Sequence, residues 1–259
     1  MLLCPVRDCH LPLLAETRRL ACPRGHSFDV ARSGYINLLQ PQDRRSRQPG
    51  DTAAAVAGRR RLHDLGVTQP LLRAISGLLE TGPDDVLLDA GCGDGFYSGS
   101  LAAETGCETH GIDISVASID AAARRYPACQ WIVANADRFV PFADNSFSVV
   151  LSITARMNAG EFQRVLRDDG RLLVAVPAPD DLIELRGPGR DRMARTIETF
   201  ATGFTLTDQR RATTSADLSS AAVDDLLHSV YRPLRAQPAG AMCVTFSLDL
   251  LLFRPTRKA

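Results

Sequence analysis

Short apolar segments alternate with helix-like segments through the middle of the chain. Strands are predicted at 86–88, 111–115, 131–135, 147–153 and 171–176. Helices are predicted between them, including one that follows Gly95 and one that ends at Gly170. Strands and helices that alternate at this pace predict an α/β fold with a doubly wound, mostly parallel sheet.

The C-terminal third predicts further elements that complete the sheet and cover a substrate opening. Helices are predicted at 180–186, 190–200 and 216–231, and strands at 204–215 and 242–255.

The composition is that of an ordinary globular protein, with 45% hydrophobic and 23% charged residues among 259. This length suits one large domain, or a medium domain with a small appendage. No apolar run is long enough to cross a bilayer, and the N-terminus lacks the pattern of a signal peptide. We therefore expect a cytoplasmic protein.

The net charge is zero, which excludes attraction of nucleic acid by the charge of the whole chain. Basic residues are concentrated locally instead. Arg44, Arg45 and Arg47 lie beside a turn-forming Pro-Gly pair, and a second run follows at 59–61. Arg44, Arg45 and Arg47 are candidates for phosphate contacts, although a solvated charge run in a linker has the same pattern.

Four potential metal ligands cluster near the start of the chain. Cys4, Cys9, Cys22 and His26 form the pattern C-x4-C-x12-C-x3-H, which offers zinc the four soft or borderline ligands it prefers. The seven cysteines are odd in number and irregular in spacing, so a disulfide framework is not indicated. His10, next to Cys9, is a rival ligand. A zinc ion with four protein ligands has no open position, so it indicates scaffolding or recognition rather than hydrolysis.

A glycine-rich turn follows the predicted strand at 86–88. The sequence DAGCGDG at 89–95 leads into a predicted helix, which is the strand–turn–helix unit of nucleotide sites. Gly91, Gly93 and Gly95 let the backbone bend tightly and approach a ligand. Asp113 lies in the next predicted strand, 111–115, 22 residues after Gly91, where a carboxylate can accept hydrogen bonds from ribose hydroxyls.

Three nucleotide cofactors compete for this turn. A Walker loop requires Gly-Lys-Ser/Thr, which is absent, and a dinucleotide loop requires G-x-G-x-x-G where this chain has G-x-G-x-G. Asp89 and Asp94 flank the turn and disfavour a pyrophosphate. A cofactor with a sulfonium and an amino-acid group suits acidic neighbours better. The motif, with its strand-end aspartate, resembles the S-adenosylmethionine site of class I methyltransferases.

The wider pattern resembles the RlmA-type 23S rRNA (guanine-N1)-methyltransferases, a family that includes members giving macrolide resistance. The resemblance is carried by CPRGHSFDVARSGYINLL (22–39), RRSRQPGD (44–51), LDAGCGDGFY (88–97), GIDIS (111–115), AAARRYP (121–127) and VPFADNSF (140–147). It implies a Rossmann-like methyltransferase sheet with a small N-terminal zinc-binding domain. The implied division is a zinc-binding RNA-recognition domain at 1–38, a basic linker and helix at 39–70, and a class I methyltransferase domain at 71–259.

The resemblance also implies methyl transfer from S-adenosylmethionine to N1 of a guanine in a hairpin loop of 23S rRNA, with a link to macrolide resistance and a homodimer as possibilities. The implied cofactor contacts are Asp89, Gly91, Cys92, Gly93, Asp94, Gly95, Asp113, Ile114, Ala136 and Asp137; the implied zinc ligands are Cys4, Cys9, Cys22 and His26. RNA contacts are expected from Arg44, Arg45, Arg47 and Arg156. The target base is expected to flip into the cofactor pocket, and no side chain is indicated as the general base.

The chain departs from the family pattern after the strand at 147–153. It has Thr154, Ala155 and Arg156 where the family has an aromatic-Ala-Pro-like sequence. This departure keeps a second interpretation open, in which the protein binds cofactor and RNA but transfers nothing. A third interpretation is a small-molecule methyltransferase of a biosynthetic pathway, in which the zinc segment and the arginine run have no role.

Overall fold

The computed structural model describes residues 1–43, 49–230 and 240–256. A small antiparallel sheet near the N-terminus consists of β1 (Leu14–Ala15), β2 (Arg19–Ala21) and β3 (Ser27–Asp29) in that order. Arg44, Arg45 and Arg47 lie outside the described residues.

The large sheet has eight strands in the order β10-β11-β9-β8-β5-β6-β7-β4. Its members are β4 (Ile36–Asn37), β5 (Val86–Ala90), β6 (Glu108–Asp113), β7 (Gln130–Val133), β8 (Phe147–Ile153), β9 (Leu166–Pro177), β10 (Phe204–Leu218) and β11 (Met242–Pro255). Strands β4 to β9 pair in parallel, whereas β11 pairs antiparallel with both β9 and β10. This confirms the predicted α/β fold with a mostly parallel sheet.

Eight helices accompany the sheet in the described part of the chain. They are α1 (Ala53–Asp64), α2 (Gln69–Leu79), α3 (Phe96–Thr105), α4 (Val116–Arg125), α5 (Ala159–Val165), α6 (Ile183–Arg186), α7 (Met193–Phe200) and α8 (Ser220–Ser229). None of these described helices combines the length and the apolar character that a bilayer span requires.

Both faces of the central strands are buried, because successive side chains point to opposite sides of the sheet. In β5, Leu87 packs into one apolar core and Leu88 into the other. In β8, Val149 and Val150 divide between the same two cores. Continuous apolar runs of this kind are why the sequence identified these strands.

The zinc segment shares its core with the large sheet. Leu20 and Phe28 from the small sheet belong to the same buried cluster as Phe142. The amide of Leu3 donates to the Pro141 carbonyl at 2.9 Å, and β4 extends the large sheet beside β7. The N-terminal segment is thus attached to the large sheet both by apolar packing and by backbone hydrogen bonds.

Some predicted boundaries are wrong. Helix α5 ends at Val165, not at Gly170. The pairing of β9 with β8 jumps from Leu166 to Arg171, so the residues between are looped out of the register. A Cβ on Gly170 would lie 2.7 Å from a Leu166 side-chain carbon, so the site has little room for a side chain.

The C-terminal elements are present with altered lengths. The helix predicted at 180–186 is reduced to the four residues of α6, and the one at 190–200 to α7. The helix predicted from 216 starts at Ser220, because 216–218 continue β10. Strand β11 has the predicted bounds and is interior to the sheet.

Candidate cofactor and metal sites

The four predicted zinc ligands converge. Nδ1 of His26 lies 3.4 Å from Sγ of Cys4 and 3.3 Å from Sγ of Cys22, and the Sγ atoms of Cys9 and Cys22 are 3.7 Å apart. All four ligand atoms lie within 4.8 Å of one another. A tetrahedral zinc ion with bonds of about 2.3 Å to sulfur and about 2.1 Å to nitrogen separates its ligand atoms by roughly 3.5–3.8 Å. The cluster therefore fits zinc with small adjustments.

Tight turns present these ligands. The Cys9 amide donates to the Val6 carbonyl at 3.0 Å, and the Cys22 amide donates to the His26 carbonyl at 2.9 Å. His10 is not part of the cluster, because its ring stacks on Phe139 at a centroid distance of 4.2 Å. The pattern of three cysteines and His26 thus provides the ligand set, and the rival His10 has another role in packing.

The glycine turn lies at the carboxyl end of β5. Here the strand order changes direction, since β6 follows on one side of β5 and β8 lies on the other. Ligands of α/β folds bind in the crevice at such a switch point. Gly95 caps the start of α3, where a Cβ would lie 2.4 Å from the Trp131 ring.

The first two glycines of the turn differ in what they face. Gly91 has φ +90° and packs so closely that a Cβ would lie 2.4 Å from the Cβ of Ala155. Gly93 has φ +56°, and the atom nearest to the position that a Cβ would occupy there is Nη1 of Arg59, at 3.4 Å. The turn is thus closed at Gly91 and open at Gly93.

Asp113 is joined directly to this turn. Its carboxylate accepts a hydrogen bond from the Gly93 amide at 2.9 Å and another from the Ser115 amide at 2.8 Å. A carboxylate has about four lone-pair sites, so two backbone bonds leave capacity for the hydroxyls of a ribose. Ile114 follows Asp113 and packs against the small apolar cluster around Trp131.

Three carboxyl groups make the crevice acidic. Burial raises the pKa of Asp89 to about 7, and burial also raises the pKa values of Asp94 and Asp113. Burial raises the pKa of the Cys92 thiol, and the three carboxylates act in the same direction. Oδ1 of Asp89 and Oδ2 of Asp94 are buried without a hydrogen-bond partner in the described part of the chain. This environment fits a cationic ligand, and S-adenosylmethionine carries both a sulfonium and an ammonium group.

The loop after β7 contributes Ala136 and Asp137, two of the predicted cofactor contacts. The Asn158 side chain donates to the carbonyls of Ala136 and Asp137, each at 3.1 Å. Nε of Arg156 lies 3.3 Å from Oδ2 of Asp137. Asn158 is also the N-cap residue of α5, where its side-chain oxygen accepts a hydrogen bond from the Glu161 amide. The sequence analysis did not select Asn158 as a site residue. A helix-capping pattern was the signal that could have identified it.

Thr154 departs from ordinary backbone geometry. Its φ is +51°, in the left-handed region that a β-branched residue rarely adopts. Its amide donates to the Ala175 carbonyl at 2.8 Å, and the next residue, Ala155, is the one that contacts Gly91. The two residues that depart from the family pattern, Thr154 and Arg156, therefore flank the Ala155 that lies against the glycine turn.

Residues before α1 form another wall of the crevice. A Cβ on Gly50 would lie 2.6 Å from the Ser115 Cβ, and Ser115 Oγ donates to the Asp51 carbonyl at 2.9 Å. Asp51 in turn accepts from Nη2 of Arg59 at 2.6 Å. The sequence did not identify Ser115 or Arg59 as site residues, because their positions follow from the path of the chain between the two sheets.

Comparison with known proteins agrees with both sites. Residues 2–47 match the family model for the N-terminal zinc ribbon of RlmA, and residues 87–174 match a methyltransferase domain. One relative is a protein of Bacillus subtilis (strain 168) with the provisional description 23S rRNA (guanine-N(1)-)-methyltransferase YxjB. It is 35% identical to this chain over 203 residues, which cover 72% of this chain and 67% of that protein. The chain belongs to the RlmA family of methyltransferases.

A second relative of this RlmA-family chain is the 23S rRNA (guanine(748)-N(1))-methyltransferase of Streptomyces fradiae. It is 35% identical over 187 residues, which cover 70% of this chain and 65% of the relative. The chain thus spans about two thirds of the length of these relatives.

Solved structures show the same fold at low identity. One example is a chain from the complex between the Haloferax volcanii Trm112 methyltransferase activator and a methyltransferase. It matches with a TM-score of 0.54 and 18% sequence identity, and the match covers 78% of this chain and 97% of the solved chain. At this identity the likeness shows the fold alone.

Proposed function

We propose that this protein transfers a methyl group from S-adenosylmethionine to N1 of a guanine in a hairpin loop of 23S rRNA. The observation that carries the proposal is the presence, in one chain, of the RlmA zinc ribbon and of an acidic glycine turn at the switch point of a methyltransferase sheet. The names of the Streptomyces fradiae and Bacillus subtilis relatives support the same substrate class.

The crevice residues have distinct roles in cofactor binding. The turn at Gly91 and Gly93 brings backbone close to the cofactor, and Asp113 accepts hydrogen bonds from its ribose. Ala136 and Asp137 contact the adenine, and Asp89 and Asp94 face the cationic end. Cys92, Gly95 and Ile114 shape the turn around these contacts. When bound, the cofactor supplies an electrophilic methyl group, and alignment with the guanine contributes much of the rate.

RNA binding combines the zinc module with the mouth of the crevice. The five arginines within residues 1–38 are all exposed: Arg7, Arg18, Arg19, Arg24 and Arg32. Side chains of this type bind phosphates, and RNA loops are recognised by such contacts together with contacts to splayed bases. Arg156 is the proposed contact for a flipped nucleotide, and its position beside Asp137, a proposed cofactor contact, supports this role. Arg44, Arg45 and Arg47 remain predicted phosphate contacts.

The test uses labelled S-adenosylmethionine and a transcript of a 23S rRNA hairpin. We expect label in the RNA and a primer-extension stop at one guanine, since methylation at N1 blocks base pairing. The matched control is the same transcript with that guanine replaced by adenine, which we expect to remain unlabelled. Label in a small metabolite but not in RNA would contradict the proposal and favour a biosynthetic methyltransferase.

A second candidate function is a cofactor-binding RNA-interaction protein without transfer. The sequence Thr154-Ala155-Arg156 favours it, because this segment replaces the family's aromatic-Ala-Pro-like lip and has a left-handed backbone at Thr154, next to the Ala155 that lies against Gly91. Tight binding of S-adenosylhomocysteine and of the hairpin, with no label transferred, would support this candidate. A link to macrolide resistance and a homodimer stay predictions, which drug-susceptibility assays and light scattering would test.

A further inference from the structure

Arg59 reaches the cofactor crevice from outside the methyltransferase motifs. It lies on α1, and Nη2 donates to Oδ2 of Asp51 at 2.6 Å and to the carbonyl of Ser229 at 3.2 Å. These two bonds hold the half-buried guanidinium between the segment before α1 and the end of α8. The side chain is thus fixed before any ligand binds.

The other end of the guanidinium faces the open glycine. Nη1 lies 3.4 Å from the position that a Cβ on Gly93 would occupy. A guanidinium has five N–H donors in a planar fork, and the two bonds above use Nη2. Arg59 therefore presents donors to the space beside Gly93, where no other described side chain lies within 4 Å of that Cβ position.

A ring of contacts links this arginine to the predicted ribose site. Arg59 binds Asp51, the Asp51 carbonyl accepts from Ser115, and the Ser115 amide donates to Asp113. Asp113 then accepts from the Gly93 amide, beside which Nη1 of Arg59 lies. The ring lies at the carboxyl ends of β5 and β6, since Gly93 follows β5 and Asp113 ends β6.

The charges of the crevice are complementary to a zwitterion. Burial raises the pKa of Asp94, and Arg59 is the largest of the charges that oppose this rise. The nearby His63 is no substitute for the arginine, because burial, and then Arg59 and Arg125, lower its pKa to about 3 and keep it neutral. Arg125 is paired with Asp64 at 2.7 Å. Acidic groups suit an ammonium, and the guanidinium beside Gly93 suits a carboxylate.

We propose that Arg59 binds the α-carboxylate of the cofactor's amino-acid group, with the guanidinium positioned for it by Asp51 and Ser229. The inference rests on the proposed use of S-adenosylmethionine. It assigns to α1, which lies between the zinc ribbon and the methyltransferase domain, a direct part in cofactor recognition.

Calorimetry with two ligands tests this assignment. One ligand is S-adenosylhomocysteine, and the other is its decarboxylated analogue, which keeps the adenosine, the thioether and the amine. We expect the unmodified protein to bind S-adenosylhomocysteine about 10- to 100-fold more tightly, since a charged hydrogen-bonded pair contributes on this scale. We expect Arg59→Ala to remove this preference by weakening S-adenosylhomocysteine alone, and Arg59→Lys to restore part of it.

Two variants separate ligand binding from tethering. Asp51→Asn removes the ion pair that positions Arg59 but keeps the guanidinium, so it is expected to reduce the preference for S-adenosylhomocysteine without abolishing it. Arg61→Ala removes another link from α1 to α8, the contact with Asp225, and is expected to keep the full preference. Thermal unfolding checks that every variant is folded. The comparison of the two ligands on the unmodified protein tests the inference even if a variant fails to fold.

The outcomes are distinct. Equal weakening of both ligands by Arg59→Ala would show that Arg59 only holds the wall in place, and no weakening would show that it does not face the cofactor; either result overturns the inference. An unmodified protein that binds both ligands equally would also overturn it while leaving the proposed function intact. A protein that binds neither ligand would overturn the proposed function as well.

Discussion

Nε of Arg156 lies 3.3 Å from Oδ2 of Asp137, so a residue predicted to contact RNA and one predicted to contact the cofactor are neighbours. The Arg156 side chain is 72% exposed and the Asp137 side chain 36% exposed. An ion pair this exposed contributes only about 0.2–1 kcal/mol. Either partner is therefore readily released to a ligand when one binds.

Arg156→Ala is expected to weaken binding of the rRNA hairpin about 3- to 10-fold at low salt. The slope of log affinity against log salt concentration should also fall by about the amount that one phosphate contact contributes. The affinity for S-adenosylhomocysteine should stay within about twofold, because the lost ion pair is weak. Filter binding across a salt series and calorimetry measure the two quantities. The matched control is Arg138→Ala, which removes a nearby arginine that is paired with Asp43 instead. An equal effect of both substitutions on RNA binding would contradict a specific contact by Arg156.

The strands and the glycine turn were predictable because their signals are local. Residues such as Leu87 and Leu88 are apolar on both faces of a buried strand, and Gly91 to Gly95 are required by backbone geometry within a single short turn. The zinc ligands were predictable for the same reason, since Cys22 and His26 lie on one short turn. These features depend on few long-range contacts.

Arg59 and Ser115 were not predictable as site residues, because their roles depend on where the segment before α1 crosses the sheet. The early end of α5 was missed as well. Helix-compatible residues continue to 170, but pairing of Leu166 with Phe147 extends β9 into this segment. In each case tertiary contacts decide between alternatives that the local sequence allows.

Zinc is expected to stabilise more than the N-terminal segment. Because Cys4, Leu20 and Phe28 share a core with Phe142, loss of the metal exposes apolar surface of the large sheet as well. We expect one zinc per chain, and a Cys22→Ser variant with less zinc and a melting temperature lower by at least about 5 °C. Release of zinc to a colorimetric chelator and differential scanning fluorimetry measure these effects.

The control for the zinc measurement is Cys243→Ser, which changes an exposed thiol outside the cluster. It should retain zinc and the original melting temperature. If Cys22→Ser kept a full complement of zinc, a different ligand set would be required.

Cofactor binding is expected to depend on pH through Asp89. Burial raises its pKa to about 7 in the free protein, so the group is mostly neutral at pH 6 and mostly ionised at pH 8. A cationic ligand favours the ionised form and lowers this pKa, so binding releases a proton and the affinity rises with pH. Full coupling predicts about a tenfold gain in affinity for S-adenosylhomocysteine from pH 6 to pH 8.

Calorimetry in buffers of different ionisation enthalpy detects the released proton. Asp89→Asn should flatten the pH profile. The control Asp120→Asn should leave it unchanged, because hydrogen bonding to Arg124 holds the pKa of Asp120 below its usual value. An affinity that falls between pH 6 and pH 8 would rule out the proposed role of Asp89.

Gly93→Ala and Gly106→Ala form a matched pair for the open side of the glycine turn. Both glycines have positive φ, +56° and +75°, so an alanine at either site costs roughly 1–2 kcal/mol. Neither Cβ would clash: the nearest atom is Nη1 of Arg59, 3.4 Å away, at Gly93, and a Pro83 carbon, 3.9 Å away, at Gly106. The two variants should therefore lose similar stability.

Only Gly93→Ala places a methyl group where the cofactor is expected to approach, so it alone should weaken the binding of S-adenosylhomocysteine by at least about tenfold. Denaturant unfolding and calorimetry provide the two readouts, and a Gly93→Ala variant with unchanged affinity would mean that the cofactor does not lie on this side of the turn.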